Sequence, residues 1–330
     1  MQGLSHDMEA ISEHIKKPLI SKKYVLVICG PTGVGKSRVA AILARQWKTD
    51  IISADSMQVY RGMDIGTDKQ HSPDFKLYMT DLFTPDHHVT AVQFKKTCRK
   101  IIEDEFFAKG KIAVLAGGSG LYIRAVMDKL KFAPPRDSQL REQLRQKIKH
   151  HGLEKYYQLL EEIDRPYSQK ISSNDARRII RGLEVYYLSG KPFSSFQDNW
   201  NERQSIYNSV FIGLNQDRQL LYKNIDNRVD QMFERGLVSE VKALLDQGYD
   251  SSYPLKQAVG YKEVVSYVKG QIDLNKCREL VKRNTRRLAK KQLTWFRKDP
   301  RINWIRVDNY DNICSLQDEI IRVIEKRLND

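Results

Sequence analysis

Residues 30–37 read GPTGVGKS and satisfy G-x-x-x-x-G-K-[ST] at every position. The run before them, YVLVICG over residues 24–30, is continuously apolar and ends in glycine, which is the pattern of a buried parallel strand. After them a helix is predicted from Lys36 to about Trp47. Gly30, Gly33 and Gly35 allow the backbone to turn successive N–H groups inward. The helix N-terminus adds partial positive charge for an anion. Lys36 can meet phosphate oxygens and the Ser37 hydroxyl can ligate Mg²⁺, with Pro31, Thr32 and Val34 completing the loop. Such a cradle recognises a diphosphate without saying what hangs from it, and both a nucleoside triphosphate and a prenyl diphosphate fit.

The remaining pattern extends this start into an α/β chain. Ile51–Ser53 begins a second buried strand, a helix follows over about 91–108, and Lys111–Ala116 makes a third strand. Strands alternating with helices imply a parallel sheet. Beyond Pro134 and Pro135, residues 138–188 read as helical throughout, until Gly190-Lys191-Pro192 breaks the pattern. A strand resumes at Asn208–Leu214, and a late one is expected at Ile302–Val307. The expected organisation is a flexible leader over 1–23, a first core segment over 24–133, a helical insertion over 134–200 and a second core segment over 201–330. The 330 residues are 41% hydrophobic, enough for a packed interior. No stretch reaches the roughly 20 apolar residues that span a bilayer, and residues 1–23 lack an apolar signal core. A soluble, cytoplasmic protein without a membrane partner, acting as a monomer, is the expectation. Cys29, Cys98, Cys277 and Cys314 are far apart and form no CxxC pair, which speaks for reduced thiols rather than a zinc or redox site.

Asp55 directly follows the second strand, in Asp55-Ser56-Met57-Gln58-Val59-Tyr60. Sites in open parallel sheets lie beyond the carboxyl ends of the strands, so Asp55 should sit near the cradle as a metal ligand or general base. A helix or turn cap is the alternative use of an aspartate there. The third strand ends in GGSG (117–120), facing the same edge, where a metal-binding aspartate would be expected in a nucleotide-hydrolysing relative. Asp81 could fill that role. His87-His88 lack spaced carboxylate partners and read as loop histidines.

Net charge is +15, which favours a polyanionic partner. Residues 281–298 carry eight Lys or Arg residues and no acid. At helical spacing Val281, Leu288, Ala289, Leu293, Trp295 and Phe296 gather on one arc. Arg283, Arg286, Arg287, Lys290, Lys291, Arg297 and Lys298 occupy the other, forming a cationic ridge suited to a phosphate backbone. Arg177, Arg178 and Arg181 fall at i, i+1 and i+4, so the first and third share a helix face.

Six segments in order, GPTGVGKS (30–37), DSMQVY (55–60), GGSGLYIRAV (117–126), NDARRIIRGLEVYYLSGKP (174–192), QAVGYKEV (257–264) and KKQLTWFRK (290–298), resemble the tRNA dimethylallyltransferase family. The resemblance implies a P-loop NTPase-like parallel-sheet core with a mostly helical insertion domain and a helical C-terminal region. It also implies transfer of a dimethylallyl group from dimethylallyl diphosphate to N6 of the adenosine 3′ of the tRNA anticodon, with Mg²⁺ as cofactor. By position, Asp55 would take the N6 proton, and Ser56, Met57 and Gln58 would hold the flipped base. Contacts to the tRNA would come from Ser119, Arg141, Arg177, Arg178 and Arg181. The anticodon arm would also meet Gln257, Gly260, Tyr261 and Lys262, then Arg286, Lys290, Lys291 and Arg297. The chain departs from the family pattern at 75–81, where Pro-His-His is absent, at Gly66-Thr67-Asp68-Lys69-Gln70 in place of Gly-Thr-Ala-Lys-Pro, and at Ser119 in place of threonine. The rival readings are a prenyltransferase acting on free adenine nucleotides, a nucleotide or metabolite kinase, and a non-enzymatic RNA-binding module.

Overall fold

A computed structural model describes residues 14–197, 200 and 202–329 of the chain. They divide into two compact units, 14–127 with 205–329, and the described part of Asp128–Gln204.

The first unit is built on a six-stranded parallel sheet in the order β3-β2-β4-β1-β5-β6. Its strands are β1 (Tyr24–Cys29), β2 (Ile51–Ser53), β3 (Leu77–Tyr78), β4 (Ala113–Gly117), β5 (Asn208–Asn215) and β6 (Ile302–Arg306). Helix α1 covers residues 14–21. It is followed by α2 (Lys36–Trp47), α3 (Ala91–Ile101) and α4 (Gly120–Met127). In the second unit lie α5 (Ser138–His151), α6 (Leu153–Ile163), α7 (Arg165–Ser168) and α8 (Ala176–Ser189). The first unit resumes with α9 (Arg218–Glu234), α10 (Leu237–Asp246), α11 (Tyr253–Gln257), α12 (Tyr261–Val268), α13 (Leu274–Phe296) and α14 (Ile313–Asn329). With the glycine-rich loop after the central β1, this is a P-loop NTPase-like α/β fold.

Alternation along β1 explains the three layers. Val25, Val27 and Cys29 face a core completed by α3, α4, α10 and α12. Leu26 and Ile28 face the opposite core, filled from α1, α2 and α14. Both faces are covered, as an all-parallel sheet requires. Helix starts follow capping chemistry: Thr90 and Gln93 form a reciprocal capping box on α3, and Asp217 and Asp273 cap α9 and α13. The second unit closes around its own core of Leu144, Tyr156, Leu160, Tyr167, Ile179, Ile180 and Leu183.

Two sequence expectations change. Residues 14–21 of the expected flexible leader are helical, and Ile15 and Leu19 are buried against the sheet, so an apolar i, i+4 pair outweighs the polar composition. Residues 1–13 lie outside the described residues. β3 was not anticipated, because two residues carry no periodicity. The helical stretch read as 134–200 falls within the unit Asp128–Gln204. Among the described residues no helix is long and apolar enough to cross a membrane.

Leu26 pairs with Val114 on one side and Val210 on the other and is fully buried. Leu26→Ala should lower unfolding free energy by about 2–5 kcal/mol, while Tyr187→Ala, exposed on α8, should stay within about 0.5 kcal/mol. Urea denaturation measures both, and equal effects would contradict this account of the core.

Candidate active site

The loop between β1 and α2 approaches neighbouring backbone closely. Gly30 has φ 145°, and a Cβ there would lie 2.5 Å from the Leu214 carbonyl oxygen. Gly33 and Gly35, at φ 83° and 93°, supply the left-handed turns that aim the amides. No side chain caps α2, so its first-turn N–H groups remain available to an anion.

Lys36 folds back over the loop and donates from Nζ to the Pro31 carbonyl at 2.7 Å. Burial, and then the nearby Arg228 guanidinium, lower its pKa from 10.5 to about 8; the charge of Asp55 works in the opposite direction. Arg228, from α9, donates Nη1 to Thr32 Oγ1 at 2.7 Å. A cleft of about 260 Å³ opens here, lined by Gly33, Lys36, Ser37, Asp68, Arg228 and Arg235 among others. Cys29, at the foot of the loop, is buried, and its thiol is pushed up to about 12 by that burial, so it is no nucleophile.

Asp55 emerges from β2 beside this cradle. Its Oδ1 accepts from the Met57 N–H at 2.8 Å, and among the described residues no hydrogen bond to Oδ2 is present. The turn is pinned to the one after β4. Ser119 N–H donates to the Ala54 carbonyl at 3.2 Å, and Ser56 N–H donates to Ser119 Oγ at 3.1 Å. Gln58 is engaged at both ends of its amide, accepting from Ser53 Oγ at 2.6 Å and donating to the Thr67 carbonyl at 2.9 Å. Asp55 thus sits on a braced turn within electrostatic reach of Lys36, with Met57 packed on the core.

Two residues the sequence reading passed over complete the arrangement. Gln292 of α13 accepts from the Thr32 N–H at 2.8 Å and donates to the Gly118 carbonyl at 3.1 Å, clasping the phosphate loop to the GGSG turn. Its one sequence signal is an amide directly after the cations Lys290 and Lys291. Arg228 belongs to a polar stripe, Asn224, Arg228, Gln231 and Arg235, at i, i+4, i+7 and i+11 along α9. That spacing, flanking the buried run Leu221, Ile225 and Val229 at i, i+4 and i+8, is readable in the sequence.

A profile described as IPP transferase matches residues 58–299. The chain belongs to the IPP transferase family. Among relatives in this family, the tRNA dimethylallyltransferase of Acetivibrio thermocellus is 43% identical over 292 residues, covering 87% of this chain and 93% of the relative. That of Carboxydothermus hydrogenoformans is 44% identical over 289 residues, covering 86% and 92%. The crystal structure of tRNA isopentenylpyrophosphate transferase from Bacillus halodurans superposes with TM-score 0.69 at 35% identity, covering 93% of this chain and 97% of that one. A eukaryotic dimethylallyltransferase acting on tRNA gives TM-score 0.74 at 26% identity, covering 90% and 77%.

The other positions that the sequence singles out separate into exposed and engaged groups. On α13, Arg283, Arg287, Lys290 and Lys291 are exposed, as is Arg297 at its C-terminal cap. Arg286 instead binds Asp226, with Nη1 2.6 and 2.7 Å from its two oxygens, and Lys282 binds Asp230 at 2.7 Å. These two cations dock α13 onto α9. The apolar arc is narrower than expected: Val281, Ala289 and Phe296 are buried, whereas Leu288 is exposed and Trp295 is 38% exposed. The Trp295 ring packs on Gly120, where a Cβ would lie 2.1 Å from it. Gln257 is exposed and Lys262 half-exposed, but Gly260 and Tyr261 are buried. The Tyr261 hydroxyl donates to Glu240 at 2.6 Å and its ring covers Gly66, so it braces a loop rather than presenting a surface. In the second unit Arg177 and Arg178 are exposed, while Arg141 and Arg181 converge on buried Glu184 at 3.8 and 2.8 Å. Asp81 accepts from Lys69 Nζ at 2.6 Å, and so serves an ion pair. His87 stacks on Phe83 and His88 meets Tyr253 edge-on, as aromatic packing.

Because Lys36 titrates near 8, a bound diphosphate would raise its pKa and binding would take up a proton above that pH. Affinity for inorganic diphosphate should be flat with respect to Lys36 below pH 8 and fall above it, at most about tenfold per unit. Isothermal titration between pH 7 and 10 tests this; Lys36→Met should weaken binding and remove the fall above pH 8.

Proposed function

We infer that this chain transfers a dimethylallyl group from dimethylallyl diphosphate to the exocyclic N6 of the adenosine 3′ of the anticodon in tRNA, releasing diphosphate. The observation that carries the reading is the placement of Asp55 beside a complete phosphate cradle in a chain of the IPP transferase family. The tRNA dimethylallyltransferases it is similar to along most of its length support tRNA as the acceptor.

An adenine amine is a weak nucleophile, since its lone pair is delocalised into the ring. Its partner must be strongly electrophilic, and an allylic diphosphate is, because departure of diphosphate leaves a delocalised cation. The protein's main task is then to stabilise charge growing on the leaving group. That task falls to the amides of residues 33–37, Lys36 and Arg228, a reading supported by the left-handed glycines and by the cations around the loop. As the N6–C1 bond forms and the C1–O bond breaks, Asp55 accepts the N6 proton through its carboxylate. The base must leave its stack to reach the carboxylate. The braced turn 55–58 would receive it, with Ser119 fixing that turn.

Mg²⁺ fits this donor set. Among the described residues there is no group of three or more His, Cys, Asp or Glu able to cage a metal, and Ser37 offers one exposed hydroxyl at the start of α2. That matches an ion held mainly by substrate phosphates and water. Ser37 would hold it, and when bound it supplies further neutralisation of diphosphate charge.

The exposed cations Arg283, Arg287, Lys290, Lys291 and Arg297 form the proposed contact with the tRNA backbone, and Arg177 and Arg178 a second one. A kinase has no use for that ridge, and free nucleotides do not need it. With labelled dimethylallyl diphosphate, label should pass to tRNA and not to AMP, without ATP hydrolysis. Asp55→Ala should slow turnover about 10²–10⁴-fold while a tRNA gel shift is retained; an Asp55→Ala enzyme of normal rate would remove the carboxylate from the chemistry.

A further inference from the structure

The cleft beside Lys36 contains an acid whose presence the transfer reaction does not require. Asp68 lines it together with Lys36, Arg38, Arg228 and Arg235. Its Oδ1 accepts from Arg235 Nη1 at 3.3 Å, and its Oδ2 lies 3.5 Å from Arg228 Nε. We propose that Asp68 is an internal counter-anion of the diphosphate pocket, competing with substrate and product diphosphate for Arg228 and Arg235 and thereby weakening their hold.

The surrounding loop presents this carboxylate in a fixed place. The backbone at Asp68 is left-handed, with φ 55°, and its N–H donates to the Ile65 carbonyl at 3.1 Å. The next residue, Lys69, is buried and donates to the Tyr60 carbonyl, Asp64 Oδ1 and Asp81 Oδ1 at 2.6, 2.7 and 2.6 Å. Just before it, the Glu240 carboxylate accepts from the N–H groups of Asp64, Ile65 and Gly66 at 3.0, 2.7 and 3.3 Å. The backbone that carries the acid is therefore held from both sides.

An orienting role for Asp68 on Arg228 is the competing idea, and the geometry disfavours it. Arg228 is already oriented by Thr32 Oγ1 at 2.7 Å. Its Nε is buried and has no hydrogen-bond acceptor, because the approach of Asp68 at 3.5 Å lacks hydrogen-bond geometry. Asp68 therefore supplies charge to Arg228 without fixing its direction. The buried Nε is a donor left for an acceptor of another kind, and a phosphate oxygen in the same cleft would satisfy it. Removing the negative charge should leave the donors in place and let the pocket bind anions more tightly.

This inference rests on the cradle being the diphosphate site, which the test establishes separately. Inorganic diphosphate is titrated calorimetrically into the full-length wild type, Lys36→Ala, Asp68→Asn and Asp68→Gly. Asn and Gly both tolerate positive φ, so neither variant forces the loop to rearrange. Wild type should bind, Lys36→Ala should lose most of that binding, and both Asp68 variants should bind about tenfold more tightly. Wild-type binding that Lys36→Ala weakens while both Asp68 variants match or fall below wild type would overturn the counter-anion and leave the cradle intact. A wild type that does not bind would overturn both.

Discussion

A methyl group added at Gly117 would lie 2.3 Å from the Ala54 carbonyl oxygen, and one added at Gly30 would lie 2.5 Å from that of Leu214. Bare backbone at these strand ends is what lets β2, β4, β1 and β5 converge without splaying. The convergence places three consecutive chemical elements at one edge: the phosphate loop after β1, Asp55 after β2 and Ser119 after β4. Ser119 then ties two of the turns together, and Gln292 ties the third to them. Side chains there do their work on a frame that sterics, rather than attraction, has set.

The frame carries an electrostatic cost. Lys36 sits near Arg228 in a partly desolvated place, and both circumstances oppose its charge. With its folded pKa below the ordinary lysine value, the penalty on the folded state is full below about pH 8 and fades as pH rises toward 10.5. A phosphate-binding site accepts that loss of stability, because the same unneutralised charge is what a leaving diphosphate needs. Acids around the site reduce the excess: Asp226 and Asp230 take two cations of α13 into the docking of that helix, and Asp68 meets Arg228 and Arg235.

Much of the architecture was legible because it is written locally. GPTGVGKS announces a strand-loop-helix, and Asp55 was placed near it by the general position of sites in parallel sheets. Local pattern has no access to pairings across the chain. Thr32 meets Gln292 across 260 positions and Arg228 across 196, and nothing in the spacing of either residue names its partner. Periodicity also misplaced individual side chains. Trp295 and Leu288 fall on the apolar arc of α13 yet are exposed, since the partner surface is narrower than the arc. Tyr261 falls in an expected binding segment but is buried over Gly66, and Arg286 falls on the expected ridge although Asp226 holds it. The polar composition of residues 14–21 masks a helix that Ile15 and Leu19 at i, i+4 suffice to dock.

In the proposed reaction the anion cradle draws off the leaving diphosphate of the C1–O bond, while the Asp55 carboxylate takes the proton of the N6 that attacks the same carbon. A crystal structure of the full chain soaked with a non-reactive thio analogue of dimethylallyl diphosphate tests it most directly. The account predicts diphosphate oxygens on the amides of residues 33–37 and on Lys36, with the allylic carbon directed toward the Asp55 carboxylate. Diphosphate bound away from those amides, or an allylic carbon pointing away from Asp55, would contradict it.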